Sequence, residues 1–354
     1  MTELEMLSTP TAETGAAQGP TDVTFSARLG SHKGVRDLAA KAAFVEEAGF
    51  DQVWVGNDLF GEPGVISLAS IAMSTSRIKF GSAVMDPVSL HPVQVAMIAS
   101  GLQDLSDGRF LLGLGAGSDV FFDWAGITPP KPVVRTRQAV LAIRQLLAGG
   151  SPADIEGVAE GWKPQAKLRF ARPTPIYVGA MGPRMLEMAG QLADGALPLC
   201  LPPRHVYGVM DQIRLGAEKA GRSLADLDIA ACVWCSIGDD RDDARRMLAK
   251  HIALYSGSLS ADALAANGLD PEEFARTQEL MLAGRVDEAV ASVTDSMLQL
   301  GIVGGVEDVI EQCGALIDAG VRHISFGPPL GTSEMESVRL LGKSVLPALR
   351  AAFK

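Results

Sequence analysis

Short apolar segments alternate along the chain with longer segments in which apolar residues recur at helical spacing. Val23–Leu29 is an apolar run of strand length, Val35–Ala48 repeats its apolar positions with helical periodicity, and Gln52–Val55 is again a short apolar run. Such runs between turn residues predict buried strands, and the periodic segment predicts a helix that ends at Gly49. The predicted strands are Val23–Leu29, Gln52–Val55, Ile78–Ala83, Phe110–Leu114, Pro175–Val178, Gly195–Leu199, Asp228–Ser236 and His323–Phe326.

The order of these elements predicts the fold class. Eight short strands in series with helical segments predict an α/β protein whose parallel sheet closes as a (β/α)8 TIM barrel. A doubly wound open sheet is the alternative, but no acidic residue follows the glycine-rich loop at the spacing of a dinucleotide-binding fingerprint. We therefore expect one barrel domain over residues 23–354, with insertions near 149–168 and 257–300, and a flexible leader over 1–22.

The composition narrows the classes of partner. A net charge of −11 over 354 residues argues against nucleic acid and against anionic membrane surfaces. No apolar run approaches the roughly 20 residues that span a bilayer, and no signal peptide is visible, so we expect a cytoplasmic protein. The four cysteines predict no metal site, because Cys232 and Cys235 would point to opposite faces of a strand.

Two glycine-rich loops follow predicted strands and are the first candidates for ligand binding. Gly115–Ser118 lies in the stretch LSDGRFLLGLGAGSD, and Gly179–Arg184 opens a helix at Pro183. In barrels of βα units the functional groups lie at the C-terminal ends of the strands, and free N–H groups at a helix start can bind an anion. An ordinary βα turn is the other interpretation of the second loop.

The other residues at these strand ends offer little acid–base or nucleophilic chemistry. Asp58, Asp86 and Asp119 are the carboxylates so placed, His91 and His323 are interpreted as structural, and no nucleophile elbow occurs. A site that is poor in catalytic groups but rich in glycine suits a cofactor that carries the reaction itself.

Several segments, in the same order, resemble the luciferase-like barrel superfamily. They are the stretch LSDGRFLLGLGAGSD, EEAGFDQVWVGND over Glu46–Asp58 and IKFGSAVMDP over Ile78–Pro87. The segments Lys131–Gly149, Pro175–Leu197 and Val321–Gly342 resemble the branch that uses the deazaflavin coenzyme F420, and within it the methylene-tetrahydromethanopterin reductases. The resemblance covers nearly the whole chain.

This resemblance implies how a deazaflavin would be bound. A non-prolyl cis peptide bond is expected at Ala83–Val84, behind the deazaflavin ring, and Asp58 is expected to contact the ring. Arg184 and Lys131 are expected near the anionic tail of the coenzyme. The residues expected to line the ring, the ribityl chain and the phosphate are Gly115, Gly117, Ser118, Gly179, Ala180, Met181, Gly182 and Pro183.

Two positions depart from the family pattern. In the family pattern a histidine follows the aspartate that matches Asp58, and in the sugar-phosphate dehydrogenases of this branch that histidine is implied to be catalytic. This chain has Leu59 there, so sugar-phosphate dehydrogenase activity is not expected. By alignment of the first strand, Ala27 occupies the position where the reductases carry a glutamate proposed as the acid. The acid is therefore missing or is supplied by Asp119, Asp86 or Asp58, and we take Asp58 and Asp119 as the candidate catalytic residues.

The function implied by the resemblance is that of a coenzyme F420-dependent oxidoreductase, which transfers a hydride between the deazaflavin and a small organic substrate. An FMN-dependent luciferase-like monooxygenase on the same barrel is the alternative, and a non-catalytic relative is a third possibility. The family also implies a homodimer or a higher homo-oligomer. Substrate choice is assigned to the two insertions and to four aromatic residues, Phe60, Phe121, Phe122 and Trp124.

Overall fold

The centre of the protein is a closed barrel of parallel strands. The structure is a computed structural model that describes residues 23–30, 33–61, 63–128 and 131–353; the leader predicted over 1–22 lies outside the described residues. Each barrel strand pairs in parallel with its neighbours, and β9 closes the barrel on β1, as the sequence predicts. The barrel strands are β1 Thr24–Leu29, β2 Gln52–Val55, β3 Lys79–Ser82, β4 Phe110–Leu114, β5 Ile176–Val178, β6 Gly195–Ala196, β7 Asp228–Ile237 and β9 His323–Leu330.

Two strands differ from the prediction. The sixth strand was expected over Gly195–Leu199, but its ladder covers only Gly195–Ala196, with one further bridge from Leu199 to Cys232. Pro198 has no N–H group to donate, so the ladder is interrupted there. A ninth strand, β8 over Gly301–Gly304, is not predicted at all and pairs with the C-terminal part of β7, outside the barrel.

Helices cover the outside of the barrel. The insertion over 257–300 contains four of them, which pack with α8 around a separate apolar cluster, whereas the insertion over 149–168 is mostly irregular. The helices are α1 Val35–Glu47, α2 Gly64–Ser74, α3 Pro92–Leu105, α4 Asp119–Trp124, α5 Pro132–Leu147, α6 Pro183–Leu192, α7 Val206–Lys219, α8 Arg241–Tyr255, α9 Ala261–Ala266, α10 Pro271–Leu282, α11 Val286–Ala291, α12 Asp295–Leu298, α13 Val306–Asp318, α14 Glu334–Leu340 and α15 Leu346–Ala352.

The strands are buried on both faces, as expected for a parallel barrel. On β1, Phe25 and Ala27 belong to the large core between the sheet and the helices. Ser26 and Arg28 alternate with them and therefore face the barrel interior. The interior holds its own apolar layer, made by Trp54, Leu111, Tyr177, Leu197, Ala230 and Cys232.

A polar network fills the N-terminal end of the barrel. His323 Nδ1 lies 2.7 Å from Asp228 Oδ1, and His323 Nε2 lies 2.7 Å from Ser26 Oγ. Tyr177 Oη and Gln52 Nε2 donate to Asp228 Oδ2 at 2.8 and 3.0 Å. Burial alone would raise the pKa of Asp228, but the charge and hydrogen bond of His323, together with these donors, lower it to about 2. His323 is therefore structural, as predicted from its place at the start of the last strand.

The two neighbouring cysteines of β7 face different surroundings. Cys232 belongs to the barrel interior, and Cys235 belongs to the core under the helices, as the strand pattern predicts. Among the described residues, no group of His, Cys, Asp and Glu side chains is arranged to hold a metal ion. Over the same part of the chain, no helix is both long and apolar enough to cross a membrane.

Candidate active site

A cleft of about 680 Å³ opens at the C-terminal ends of β2 to β6. Its walls come from the five connections that follow these strands. A second hollow of about 440 Å³ lies outside the barrel, between α3, α5 and residues 157–162, and shares no residue with the cleft. The predicted residues that line the cleft are Asp58, Ala83, Val84, Gly115, Gly117, Ser118, Gly179, Ala180, Met181, Gly182, Pro183 and Arg184.

The Ala83–Val84 peptide bond forms the back of the cleft and is cis, which confirms the prediction for this bond. The Val84 side chain projects between the ends of β4 and β5. A Cβ atom on residue 179 would lie 2.9 Å from Val84 Cγ1, and one on residue 115 would lie closer still to Val84 Cγ2. Glycine is therefore required at both positions if Val84 is to keep this place.

The loop after β4 bends around a buried aromatic ring. Gly117 has a φ of +83°, a conformation that side chains disfavour, and a Cβ atom there would run into the ring of Phe122. Ser118 precedes α4 in an extended conformation. The loop thus presents its backbone to the cleft, as the glycine-rich sequence indicates.

The loop after β5 leads directly into the first turn of α6. Gly182 is the N-cap residue of this ten-residue helix and makes no side-chain capping bond, and Pro183 occupies its first turn. Gly182, Pro183 and Arg184 are all exposed to the cleft side. A helix start with uncapped N–H groups and an exposed arginine can bind an anion.

Among the residues that the structure describes, two carboxylates line the cleft, Asp58 and Asp86, and their surroundings differ. Asp86 is buried and holds its own loop: Oδ1 accepts from the N–H groups of Val88 at 2.9 Å and Ser89 at 2.6 Å, and Oδ2 accepts from Ser89 Oγ at 2.5 Å. Asp58 is exposed to the cleft. Partial burial, and then the negative charge of Asp86, raise the pKa of Asp58.

Asp119 lies beside the cleft and does not line it. It is the first residue of α4, and its neighbours Lys131, Pro132 and Arg135 enclose a hollow of about 420 Å³. The two cavities share Ala116, Gly117 and Pro132 in their walls. The structure therefore brings only one of the two candidate catalytic residues, Asp58, into the cleft.

The two departures from the family pattern have different locations. Leu59 lines the cleft next to Asp58, so the position of the family histidine is at the site. Ala27 is fully buried in the core between the sheet and the helices, and an acid on this residue would face away from the cleft. The inward residue at this end of β1 is Arg28. A glutamate aligned with Ala27 would therefore lie outside the site.

Part of the cleft wall is not predicted from the sequence. Pro132 and Val133, at the start of α5, line the cleft, and so do Met185 on α6 and Leu197 after β6. The segment before α5 is far from any predicted strand end, so its spacing gives no signal. A proline in the first turn of a helix is the one local feature that could have marked this segment.

The sequence is similar to those of known proteins. The profile of the family described as luciferase-like monooxygenase matches residues 10–323. The chain is 33% identical, over 89% of its length and 96% of the relative, to 5,10-methylenetetrahydromethanopterin reductase of Archaeoglobus fulgidus. It is 32% identical, over 92% of its length and the whole of the relative, to the reductase of the same name from Methanolobus tindarius.

The fold is also similar to that of a solved reductase structure. The coenzyme F420-dependent tetrahydromethanopterin reductase of Methanopyrus kandleri superposes with a TM-score of 0.86 and 27% identity, covering 94% of this chain and 100% of that one. Family profile, sequence relatives and structure confirm the resemblance drawn from the sequence. The chain belongs to the luciferase-like monooxygenase family.

Proposed function

We propose that this protein is a coenzyme F420-dependent oxidoreductase, similar to methylene-tetrahydromethanopterin reductase, that transfers a hydride between the deazaflavin and a small organic substrate. The relative from Methanopyrus kandleri is described as dependent on this coenzyme. The main structural support for the proposal is found at the back of the cleft. There the Val84 side chain lies between two glycines, at the ends of β4 and β5.

The shape of the cleft fits a flat heteroaromatic ring with an anionic tail. A ring would lie against Val84, with the backbone of Gly115–Ser118 along one side. Side chains at Gly115 or Gly179 would displace Val84 and narrow this space. When bound, the coenzyme supplies the carbon that carries the hydride, and the chain binds the ring, orients it and limits its contact with water.

The anionic tail has a suitable partner at the start of α6. Gly182 and Pro183 leave the first turn without a side-chain cap, and Arg184 adds a full positive charge. Charge-assisted hydrogen bonds of this kind favour a phosphate over neutral groups. Lys131 and Arg135 border the hollow that adjoins the cleft, and they add positive charge on the same side of a chain that is acidic as a whole.

Asp58 is the group that would exchange a proton at the site. Its pKa is raised, so a larger fraction of the carboxyl groups holds a proton at a given pH than for an ordinary aspartate. Asp86 is committed to the N–H groups of Val88 and Ser89 and maintains the loop. The proposal assigns the proton to Asp58 and a positioning role to Asp86.

Titration with coenzyme F420 and, separately, with FMN tests the proposal. We expect the deazaflavin to bind with a Kd below ~0.1 mM, since a built ring site and a phosphate site act together. Tight binding of FMN without binding of the deazaflavin in this range would contradict it. That result would favour the FMN-dependent monooxygenase, for which the family is named.

Two further parts of the proposal concern assembly and location. We propose a homodimer or a higher homo-oligomer, and a cytoplasmic location. Light scattering coupled to size-exclusion chromatography tests the first: a mass at or near the 37.2 kDa of one chain at micromolar concentration would contradict it. Fractionation of cells that express the native gene tests the second.

A further inference from the structure

The cleft uses only one side of the barrel opening. Its lining residues follow β2, β3, β4, β5 and β6, which are consecutive around the barrel. Among the described residues, the ends of β7, β9 and β1 contribute nothing to its wall. These three strands are also consecutive, so they bound the other side of the opening.

Arg28 is the inward-facing charged residue at the end of β1, on this second side. It is next to last in β1 and faces inward, and its Nη2 donates to the Val233 carbonyl at 2.5 Å. Its Nε is buried and has no hydrogen-bond partner. None of the ion pairs among the described residues includes Arg28, although the chain carries more carboxylates than cations.

The charge of Arg28 acts on groups that adjoin the cleft. Burial raises the pKa of the Cys200 and Cys232 thiols, and the guanidinium charge offsets only part of that rise. The backbone of Cys232 bridges to Leu199, which lines the cleft. Arg28 is therefore close to the wall where the first side of the opening meets the second.

On α8, His251 completes this region. Its Nε2 is buried without a hydrogen-bond partner, and its ring packs edge-on against Trp234 at 4.6 Å and near Tyr255 at 4.7 Å. Burial, and then the positive charge of Arg28, lower the pKa of His251 to about 4, so the ring is neutral at neutral pH. Within the described part of the chain, Arg28 thus has a neutral neighbour in His251 and forms no ion pair.

We propose that Arg28 binds an anionic oxygen group, a carboxylate or a phosphate, on the substrate. The inference rests on the proposed function, because the coenzyme would fill the first side of the opening and leave the second side to the substrate. An arginine keeps its proton at all accessible pH values and forms forked hydrogen bonds to oxyanions. It therefore binds and orients the substrate and does not act as a proton donor.

Small anions test the site without knowledge of the whole substrate. Acetate and inorganic phosphate are titrated into the full chain, with acetamide as the neutral match of acetate, and the ring resonances of His251 report binding by NMR. Each titration is run with and without coenzyme F420. We expect both anions to bind and acetamide not to bind.

Substitution of Arg28 separates a binding role from a structural one. Arg28→Gln keeps a donor but loses the charge, and it should weaken anion binding by about tenfold, as loss of a charge-assisted bond does. Arg28→Lys should recover part of the affinity. Arg322→Gln is the matched control, because Arg322 donates to the Ile317 and Val321 carbonyls at the opposite end of the barrel.

The possible results are distinct. Equal binding of acetate and acetamide, or unchanged anion binding in folded Arg28→Gln, would overturn the inference. Loss of the anion signal in Arg184→Gln but not in Arg28→Gln would mean that the probe occupies the α6 loop, and this also contradicts it. Absorbance of the bound coenzyme is recorded in the same samples. If the coenzyme does not bind, the proposed function fails, while the coenzyme-free titration still decides whether Arg28 binds anions.

Discussion

The side chain of Val84 occupies the space beside the Gly115 Cα atom: a Cβ atom on residue 115 would lie 3.3 Å from Val84 Cβ and closer to Val84 Cγ2. We therefore expect Gly115→Ala to displace Val84 and to weaken coenzyme F420 binding by about tenfold. Overpacking of this kind also destabilises a fold by about 1–3 kcal/mol. Fluorescence titration and thermal unfolding measure the two effects.

The matched control for Gly115→Ala is Gly101→Ala. Gly101 lies within α3, and a Cβ atom there meets nothing within 4 Å. This variant should bind the coenzyme like the original protein and unfold at an equal or higher temperature, because alanine favours helix. Equal coenzyme affinity in the two variants would show that Val84 does not depend on Gly115 for its position.

At the α6 loop, Arg184→Gln should weaken coenzyme F420 binding about three- to tenfold, and the loss should shrink as salt is added. A deazaflavin nucleoside without the phosphate should bind both proteins equally. Arg172→Gln is the control, because Arg172 pairs with the exposed Asp104 at 3.0 Å, away from the cleft. An equal loss for both deazaflavins would mean that Arg184 does not act on the phosphate.

The pair of cleft carboxylates gives a prediction about pH. Because the charge of Asp86 contributes to the raised pKa of Asp58, Asp86→Asn should lower the pKa of Asp58. Carboxyl ¹³C titration by NMR measures this directly. The alkaline limb of the pH–rate profile, where Asp58 loses the proton that it would donate, should move to lower pH with it. A pKa of Asp58 that is unchanged or higher in this variant would contradict the interpretation.

The network around Asp228 predicts how stability depends on pH. The pKa of Asp228 is about 2 in the folded protein, below its value in an unfolded chain, so the carboxylate stabilises the fold above about pH 4. This contribution, about 2 kcal/mol, should be lost as the pH falls toward 2. Urea unfolding of the original protein and of Asp228→Asn at several pH values should show a difference that narrows with acid.

The control for this series is Asp211→Asn, because the Asp211 side chain is 64% exposed and pairs with Arg214, three residues further along the same helix. Its effect on the free energy of unfolding should be small at every pH. A difference between Asp228→Asn and the original protein that stays constant down to pH 2 would mean that Asp228 titrates normally.

The sequence predicts the barrel and most of the cleft, because strand-length apolar runs and glycine loops carry strong local signals. Strand β8 was not predicted from the sequence, because Gly301–Gly304 has only two apolar residues between glycines. Its pairing also depends on the length of β7. The side chains of β1 that face the barrel interior could not be predicted for another reason. Period-two alternation separates Phe25 and Ala27 from Ser26 and Arg28, but both faces of a barrel strand are buried, so alternation alone does not say which pair faces inward.

Asp119 illustrates a limit of the same kind. Its place after a glycine loop at a strand end suggests a cleft residue, yet it begins α4 and faces the adjoining hollow. The direction in which the chain leaves the loop depends on Gly117 and on the buried ring of Phe122. Contacts of this type join residues through the fold, and spacing along the chain does not encode them.

The division of the barrel opening into five strand ends that form the cleft and three that do not has a consequence for how such proteins diverge. Under the proposal that the substrate lies over the ends of β7, β9 and β1, mutations there can alter which substrate is bound without disturbing the glycines that support Val84. Related proteins can then keep the same coenzyme cleft and differ in the substrate that they bind at the other three strand ends. Variation concentrated on those three ends among close relatives would be the record of such a history.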